Sequence, residues 1–159
     1  MRNTILARSR QRIVHLDLHL LRKIAWTLVS ELLQVDSFEL GIYVIGAAEM
    51  ALLNETFLGH SGSTDVLAFD YSERPEKDVL LGEIFVCMDE AQRQAIRFRT
   101  TWQSELVRYV IHGILHLIGY DDHQVARRQK MKCEENRFLK HFAARFDLSK
   151  LTKPVPRQN

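Results

Sequence analysis

The segment IHGILHLIGYDDH, residues 111–123, combines an apolar run of helical length with a glycine that can end a helix. His112 and His116 lie four residues apart, so on an α-helix they share one face about 6 Å apart along the axis. Gly119 can end that helix, and two aspartates and a histidine follow at positions 121–123. The spacing predicts a metal site, because two imidazoles and a donor from the returning chain can reach one ion.

The whole sequence is typical of one globular domain with a hydrophobic core. It has 159 residues, of which 46% are hydrophobic and 26% charged. The net charge of +2 is compatible with a nucleic-acid partner but does not require one. We expect a single metal-dependent domain over residues 1–150 and a frayed polar tail over residues 151–159.

The cysteines and the apolar runs indicate a cytoplasmic location. Cys87 falls in a predicted strand and Cys133 in a predicted helix, so we expect no disulfide framework. The N-terminal segment MRNTILARSRQR has no apolar stretch long enough for a secretory signal. No uninterrupted run of about 18 apolar residues is present, so we expect no membrane span.

Hydrophobic periodicity predicts strands and helices in the order β-α-β-α-β-β-α-α-α. The strands cover residues 4–7, 38–45, 66–71 and 79–88. The helices cover 17–34, 47–58 and 90–99, then a segment from Thr101 or Ser104 to about Ile118, and 124–146. Asp17 and Asp89 are the predicted N-caps, and a charged turn is predicted over 72–78. The order predicts an α+β fold with a small mixed four-stranded sheet, about five helices and a zincin-like metal-bearing helix.

The histidine pair alone is weak evidence for a metal site, because such spacing often arises by chance. The apolar run around it predicts burial, and a buried imidazole needs a partner. Nitrogen and oxygen donors together suit zinc, with water in an open position. The spacing parallels H-E-x-x-H-x-x-G-x-x-H of zincin metalloproteases, but Gly113 replaces the glutamate that acts there as general base. A zincin-like hydrolase of another substrate is therefore the least favoured alternative.

Several blocks of this chain resemble one family. HGILHLIGYDDH is similar to H-G-x-L-H-L-x-G-Y-D-H, the signature of the YbeY endoribonucleases, also called rRNA maturation factors. Upstream, LLNETFLGHSGSTDVLAF at residues 52–69 is similar to the family's L-N-x-x-Y-R-x-x-D-x-P-T-D-V-L-S-F. The segment LGEIFVCMDEAQRQA resembles its L-G-D-I-x-I-S-x-x-x-A stretch. These blocks span roughly residues 50–140 in the family's order.

The resemblance implies a fold, a cofactor and an activity. It implies an α+β fold with a small mixed sheet and one metal ion, usually zinc, on three histidines. It implies a hydrolase that cleaves single-stranded RNA, matures the 3′ end of 16S rRNA and takes part in ribosome quality control. The expected partners are therefore single-stranded RNA, including rRNA, and the small ribosomal subunit. His112 and His116 match the first two ligand positions.

The third ligand position departs from the family pattern. The family's histidine falls on Asp122, and His123 follows one residue later. We predict Asp122 as the third ligand, because Met131 and Glu135 downstream keep the family's spacing without a gap. His123 is the alternative, since carboxylate and imidazole bind zinc at similar distances. A carboxylate ligand lowers the net charge of the site and makes a bound water less acidic. The candidate catalytic residues are His112 and His123, and Asp121 is a second candidate for the general base.

A second departure from the family pattern affects the expected catalytic activity. The arginine of the family's L-N-x-x-Y-R block falls on Leu58, which cannot contact phosphate. Either His60 or a nearby arginine substitutes for it, or the activity is weak. This favours the alternative of a ribosome-associated zinc protein with little intrinsic catalysis. Glu83 interrupts an apolar strand, and it either supports a ligating histidine or faces outward.

Overall fold

In the residues that the structure describes, four strands and five α-helices follow the predicted order. The computed structural model describes residues 3–72 and 78–156, so most of the charged turn predicted over 72–78 lies outside it. The strands are β1 (Thr4–Ser9), β2 (Ser37–Ile45), β3 (Val66–Asp70) and β4 (Val79–Cys87). The helices are α1 (Leu18–Trp26), α2 (Ala47–Leu58), α3 (Met88–Phe98), α4 (Trp102–Leu117) and α5 (Val125–Arg145). A π-helical turn covers Thr27–Leu32, and a 3₁₀ turn covers Leu148–Leu151.

The strands form one mixed sheet in the order β1-β2-β4-β3. Strands β1, β2 and β4 are parallel, and β3 pairs antiparallel with β4. The register places Ala68 of β3 opposite Ile84 of β4, so both side chains lie on the same face. The predicted α+β class with a mixed four-stranded sheet is confirmed.

Helix α1 begins where predicted and ends in a different geometry. Asp17 caps it, since its Oδ1 accepts a 3.0 Å hydrogen bond from the backbone N–H of Leu20. In the π-helical turn that follows, the N–H of Leu33 donates to the carbonyl of Leu28 at 2.8 Å. The α-helix predicted over 17–34 is therefore wrong in its last part. Apolar spacing does not distinguish an i→i−5 turn from an α-helical one.

The predicted N-cap of α3 is also wrong. Cys87 occupies the N-cap position, and Asp89 lies in the first turn. The Oδ2 atom of Asp89 accepts a hydrogen bond of 2.5 Å from the backbone N–H of Ala47, the first residue of α2. Asp89 therefore stabilises the N-terminus of another helix, where a carboxylate is favourable. Local sequence does not contain this contact, because the two residues are far apart in the chain.

Helix α4 runs through the middle of the molecule and is buried on most sides. Val110, Ile111, Ile114 and Leu115 are each at most 1% exposed. The helix packs against β3 and β4 on the sheet and against α3 and α5 among the helices. Full burial of each such side chain contributes about 1.5–3 kcal/mol relative to its exposure. The apolar part of α4, from Val110 to Leu115, thus lies at the centre of the hydrophobic core.

Two glycines set the distance between α4 and the sheet. A Cβ atom on Gly113 would lie 2.8 Å from Cγ2 of Ile84. A Cβ atom on Gly82 would lie 2.8 Å from Cδ2 of Leu117 and 2.6 Å from the carbonyl oxygen of Phe69. Helix and sheet can approach this closely only because both positions lack a side chain. There is therefore no room at residue 113 for the glutamate of the zincins.

The chain after α5 returns to the domain. Leu151 is fully buried, and its carbonyl accepts a 2.8 Å hydrogen bond from the N–H of Asp17. The N–H of Lys153 donates to the carbonyl of His15 at 2.7 Å. The expectation of a frayed tail is therefore wrong for residues 151–153, because the apolar Leu151 side chain enters the core. A single domain over residues 1–150 stays a prediction.

Within residues 3–72 and 78–156, no helix is both long and apolar enough to cross a bilayer.

We expect Gly113→Ala to lower the free energy of unfolding by about 1–3 kcal/mol. The cost of overpacking against Ile84 exceeds the roughly 1 kcal/mol by which alanine favours a helix over glycine. Urea unfolding of both proteins measures the difference. In an Ile84→Ala background the same change should cost clearly less, and an unchanged cost would contradict the close contact.

Candidate metal centre

His112 and His116 of α4 direct their imidazoles to one point. Their Nε2 atoms lie 3.0 Å apart, and the rings meet edge to face with centroids 4.6 Å apart. Two nitrogens held at 2.0–2.1 Å by one tetrahedral zinc would be roughly 3.3 Å apart. The separation in the structure is close to that value, so the pair can hold one ion with little movement.

The loop after α4 brings Asp122 back to the histidines. The backbone of Gly119 has a φ of +105°, and the N–H of Tyr120 donates to the carbonyl of Leu115 at 2.9 Å. This turn reverses the chain, as a glycine-ended helix commonly does. Oδ2 of Asp122 then lies 3.6 Å from Nε2 of His116, and it lies 3.9 Å from the corresponding atom of His112.

The structure therefore brings together His112, His116 and Asp122. The alternative third ligand, His123, lies apart from the histidine pair. Ligand atoms of His112, His116 and Asp122 all lie within 4.8 Å of one another. The side chain of His123 is 88% exposed, and its Nε2 lies 4.0 Å from Oδ1 of Asp121. In the described residues His123 groups with the two aspartates before it, and not with the histidine pair. This geometry supports Asp122 over His123 as third ligand.

Glu135 of α5 lies behind the site and contacts His112. Its Oε1 is 3.0 Å from Nδ1 of His112, and its side chain is only 10% exposed. A proton on Nδ1 donated to this carboxylate leaves Nε2 free to bind a metal. Sequence reasoning missed this role, although a signal was present. Glu135 shares a buried face of α5 with Met131, Phe138 and Phe142, where a solvated glutamate is not expected.

The two imidazoles differ in their electrostatic surroundings. Burial lowers the pKa of His112, but the hydrogen bond and charge of Glu135, with the charges of Asp65 and Asp122, outweigh burial and raise that pKa. Burial and the neighbouring charge of His112 lower the pKa of His116. The imidazole of His116 is therefore neutral at neutral pH, the form that binds a metal.

The histidines lie in an open cleft of about 500 Å³ between α4, β3 and the loops beside them. Its lining consists of Leu58, Thr64, Asp65, Val66, Leu67, Ala68, Asp70, His112, His116, Leu117, Asp122 and His123. In this described lining no residue is arginine or lysine. The cleft can therefore admit a substrate to the histidines, but the part of its lining that the structure describes offers no permanent cation to a phosphate group.

A family model described as Endoribonuclease YbeY matches residues 7–143. The chain therefore belongs to the YbeY family. It is 41% identical over 99 residues to Endoribonuclease YbeY of Chlorobium phaeovibrioides, covering 62% of this chain and 65% of that protein. It is 31% identical over 135 residues to the Dehalococcoides mccartyi protein of the same name, covering 76% and 78% of the two chains. Against the first curated relatives, the match spans less than two thirds of their length.

The fold also resembles a solved structure, the solution structure of TM1509 from Thermotoga maritima. The TM-score is 0.62 at 25% sequence identity, and the match covers 98% of this chain and all of the other. The overall architecture is therefore shared well beyond the segment that carries the histidines.

The position of the YbeY arginine is open to the cleft. Leu58 lines the cleft at the end of α2 and is 52% exposed. His60 is exposed and does not belong to the described lining, so it does not replace the arginine there. Leu58 therefore places an apolar side chain where the YbeY resemblance implies a cation.

Of three other polar residues, two lie beside the site and one lies on the far face of the sheet. Glu83 faces the opposite side of the sheet and accepts a 2.8 Å hydrogen bond from the hydroxyl of Tyr71, so it does not support the histidines. Both carboxylate oxygens of Asp121 accept hydrogen bonds, from the N–H of His123 at 2.6 Å and from Arg127 at 3.0 Å. Asp65 lines the cleft and accepts from the N–H of the following residue, Val66.

We expect Glu135→Gln to weaken zinc binding by about 10- to 100-fold, because His112 loses the carboxylate that orients it. Competition with a chromophoric chelator measures the affinity. Glu134→Gln is a matched control, since Glu134 is the preceding residue of α5 and pairs with Arg137 at the surface. Equal losses in both variants would contradict a specific role for Glu135.

Proposed function

We propose that this protein is a metal-dependent endoribonuclease that cleaves single-stranded RNA. The observation that carries the proposal is the convergence of His112, His116 and Asp122 at the wall of an open cleft. Membership of the YbeY family supports RNA as the substrate, since the curated relatives are named endoribonucleases. By the same resemblance we propose 16S rRNA 3′-end maturation and ribosome quality control in the cytoplasm, with the small ribosomal subunit as partner.

The donor set fits a zinc ion. Two imidazole nitrogens and one carboxylate oxygen suit zinc and leave a position open toward the cleft. When bound, such an ion supplies Lewis-acid chemistry that polarises phosphate oxygens and lowers the pKa of water. His112, His116 and Asp122 would hold it, and a proton donated from Nδ1 of His112 to Glu135 would leave Nε2 of His112 free as a ligand atom.

Besides His112, His123 is the other candidate catalytic residue. Its imidazole lines the cleft and is largely exposed, so a substrate in the cleft can reach it. Asp121 is less suited to the same role, because both of its oxygens already accept hydrogen bonds. We therefore propose that His123 transfers a proton to or from a substrate oxygen, and that Asp121 holds the loop on which it lies.

One observation favours a second candidate function. Leu58 occupies the position of the family's arginine, and the described cleft lining has no cation to stabilise negative charge on phosphate. A ribosome-associated zinc protein with little intrinsic catalysis would tolerate this loss. Cleavage by the purified protein distinguishes the two functions.

The central experiment compares the wild-type protein with His112→Ala/His116→Ala. We expect the wild type to bind about one zinc per chain, measured by atomic emission, and to cleave a single-stranded RNA until a chelator is added. The double variant should lose metal and cleavage together. RNA binding without cleavage by the wild type would instead support the second candidate function. Full cleavage by a metal-free double variant would falsify the mechanism.

Single variants in the returning loop separate ligand from proton-transfer roles. Asp122→Ala should lose both zinc affinity and cleavage, because it removes a donor atom. His123→Ala should keep zinc affinity and lose about 100-fold in cleavage rate, because only proton transfer is affected. If His123→Ala loses the metal and Asp122→Ala keeps it, the assignment of the third ligand is wrong.

Leu58→Arg should raise the rate of RNA cleavage by about tenfold or more, because it places a cation in the cleft where phosphate charge develops. Leu52→Arg is a matched control, since Leu52 is an exposed residue of the same helix outside the cleft lining. Single-turnover cleavage at fixed salt measures the effect. An equal gain in both variants would indicate general attraction of RNA and not a local contact.

A further inference from the structure

A second cavity, of about 620 Å³, lies beside the loop that carries the candidate third ligand. Apolar side chains of Leu33, Val35 and Ile118 form part of its lining. A concave, partly apolar site of this volume is in the range that holds a drug-sized or nucleotide-sized ligand. The proposed mechanism does not use this cavity.

The rest of the lining carries an aromatic ring and two cations. Tyr120 contributes the ring, and Nζ of Lys130 lies 6.0 Å from the ring centre. Arg127 lines the same cavity, and its side chain is 61% exposed while it donates to Asp121. Unpaired bases of single-stranded RNA stack on aromatic side chains, and lysine and arginine contact the phosphates. The cavity therefore combines the two kinds of group that bind a nucleotide of a single strand.

The cavity and the metal cleft adjoin through consecutive residues. Asp121 lines the cavity, and Asp122 lines the cleft. The cavity and the cleft therefore lie on neighbouring parts of the same loop. The described cleft lining has no arginine or lysine, whereas the cavity has one of each. Among the described residues, the cations that can contact the RNA backbone therefore line the cavity and not the cleft.

We propose that this cavity is a subsite for a nucleotide of single-stranded RNA that flanks the bond to be cleaved, with the base on Tyr120 and the backbone phosphate on Lys130 and Arg127. The proposal rests on the proposed function, since it extends the RNA path from the same site. Arg127 also holds Asp121, so Tyr120 and Lys130 provide the cleaner tests.

The test measures the affinity of the zinc-loaded protein for a short fluorescent single-stranded RNA by anisotropy. Tyr120→Leu should weaken binding about tenfold through loss of stacking, whereas Tyr120→Phe should bind like the wild type. Lys130→Glu should also weaken binding about tenfold. Lys130→Ala should reduce the slope of log affinity against log salt by about 0.7, the value for one phosphate contact of a single strand.

Lys140→Glu is the matched control. Lys140 is an exposed residue of the same helix, about 15 Å from Lys130 along the axis. Its substitution by glutamate changes the net charge by the same amount as Lys130→Glu. It should bind RNA within about twofold of the wild type, and every variant should keep its zinc.

Three outcomes overturn the subsite. If wild type binds RNA and the Tyr120 and Lys130 variants bind equally well, or if Lys140→Glu weakens binding as much as Lys130→Glu, the subsite is wrong and the proposed function stands. If the wild type neither binds nor cleaves single-stranded RNA, the proposed function fails and the subsite fails with it.

Discussion

The close contact between α4 and β4 determines where the rest of the candidate site lies. The side chain of Ile84 packs directly against the backbone of α4 at Gly113, because Gly113 has no side chain. The helix therefore lies close to the sheet. Residues 112 and 116 then project beside β3, the antiparallel edge strand, and not into the core. The same contact excludes a glutamate at residue 113. One packing constraint therefore sets the position of the histidines and removes the protease chemistry.

Charge compensation is the second constraint on the site. Two half-buried imidazoles lie between Asp122 on the cleft side and Glu135 on the core side. The carboxylate of Glu135 would be costly at 10% exposure without the partner that His112 provides. With a divalent cation bound, the two carboxylates would balance its charge. A third histidine in place of Asp122 would leave the site more positive, so the substitution changes the electrostatics more than the geometry.

This member of the YbeY family keeps the first two histidines of the signature, His112 and His116, but differs from it at Asp122 and at Leu58. Leu58 leaves the described lining without a permanent cation, while Arg127 and Lys130 lie beside the adjoining cavity. Electrostatic attraction of RNA would therefore act next to the reacting phosphate. Cations in that position strengthen the binding of RNA but do not stabilise the negative charge that develops on the reacting phosphate. They would therefore raise the affinity for RNA without an equal gain in the cleavage rate.

The sequence by itself determined the order of strands and helices, the histidine pair and the candidate third ligand. Each of these depends on local spacing: periodic apolar residues define the elements, and i, i+4 spacing places His112 and His116 on one face. The errors concern contacts between distant segments or hydrogen bonds that spacing does not encode. Asp89 supports another helix, the end of the first helix widens into a π-helical turn, and Leu151 enters the core.

Only the tertiary structure decided which distant groups meet at the site. Glu135 reaches His112 because α5 packs across α4, and Glu83 turns away because the pleat of β4 alternates its side chains between two faces. The reversal of the chain at Gly119 brings Asp122, and not His123, to the histidine pair. Local spacing thus identifies candidate donors, while packing and backbone direction select those that share one point in space.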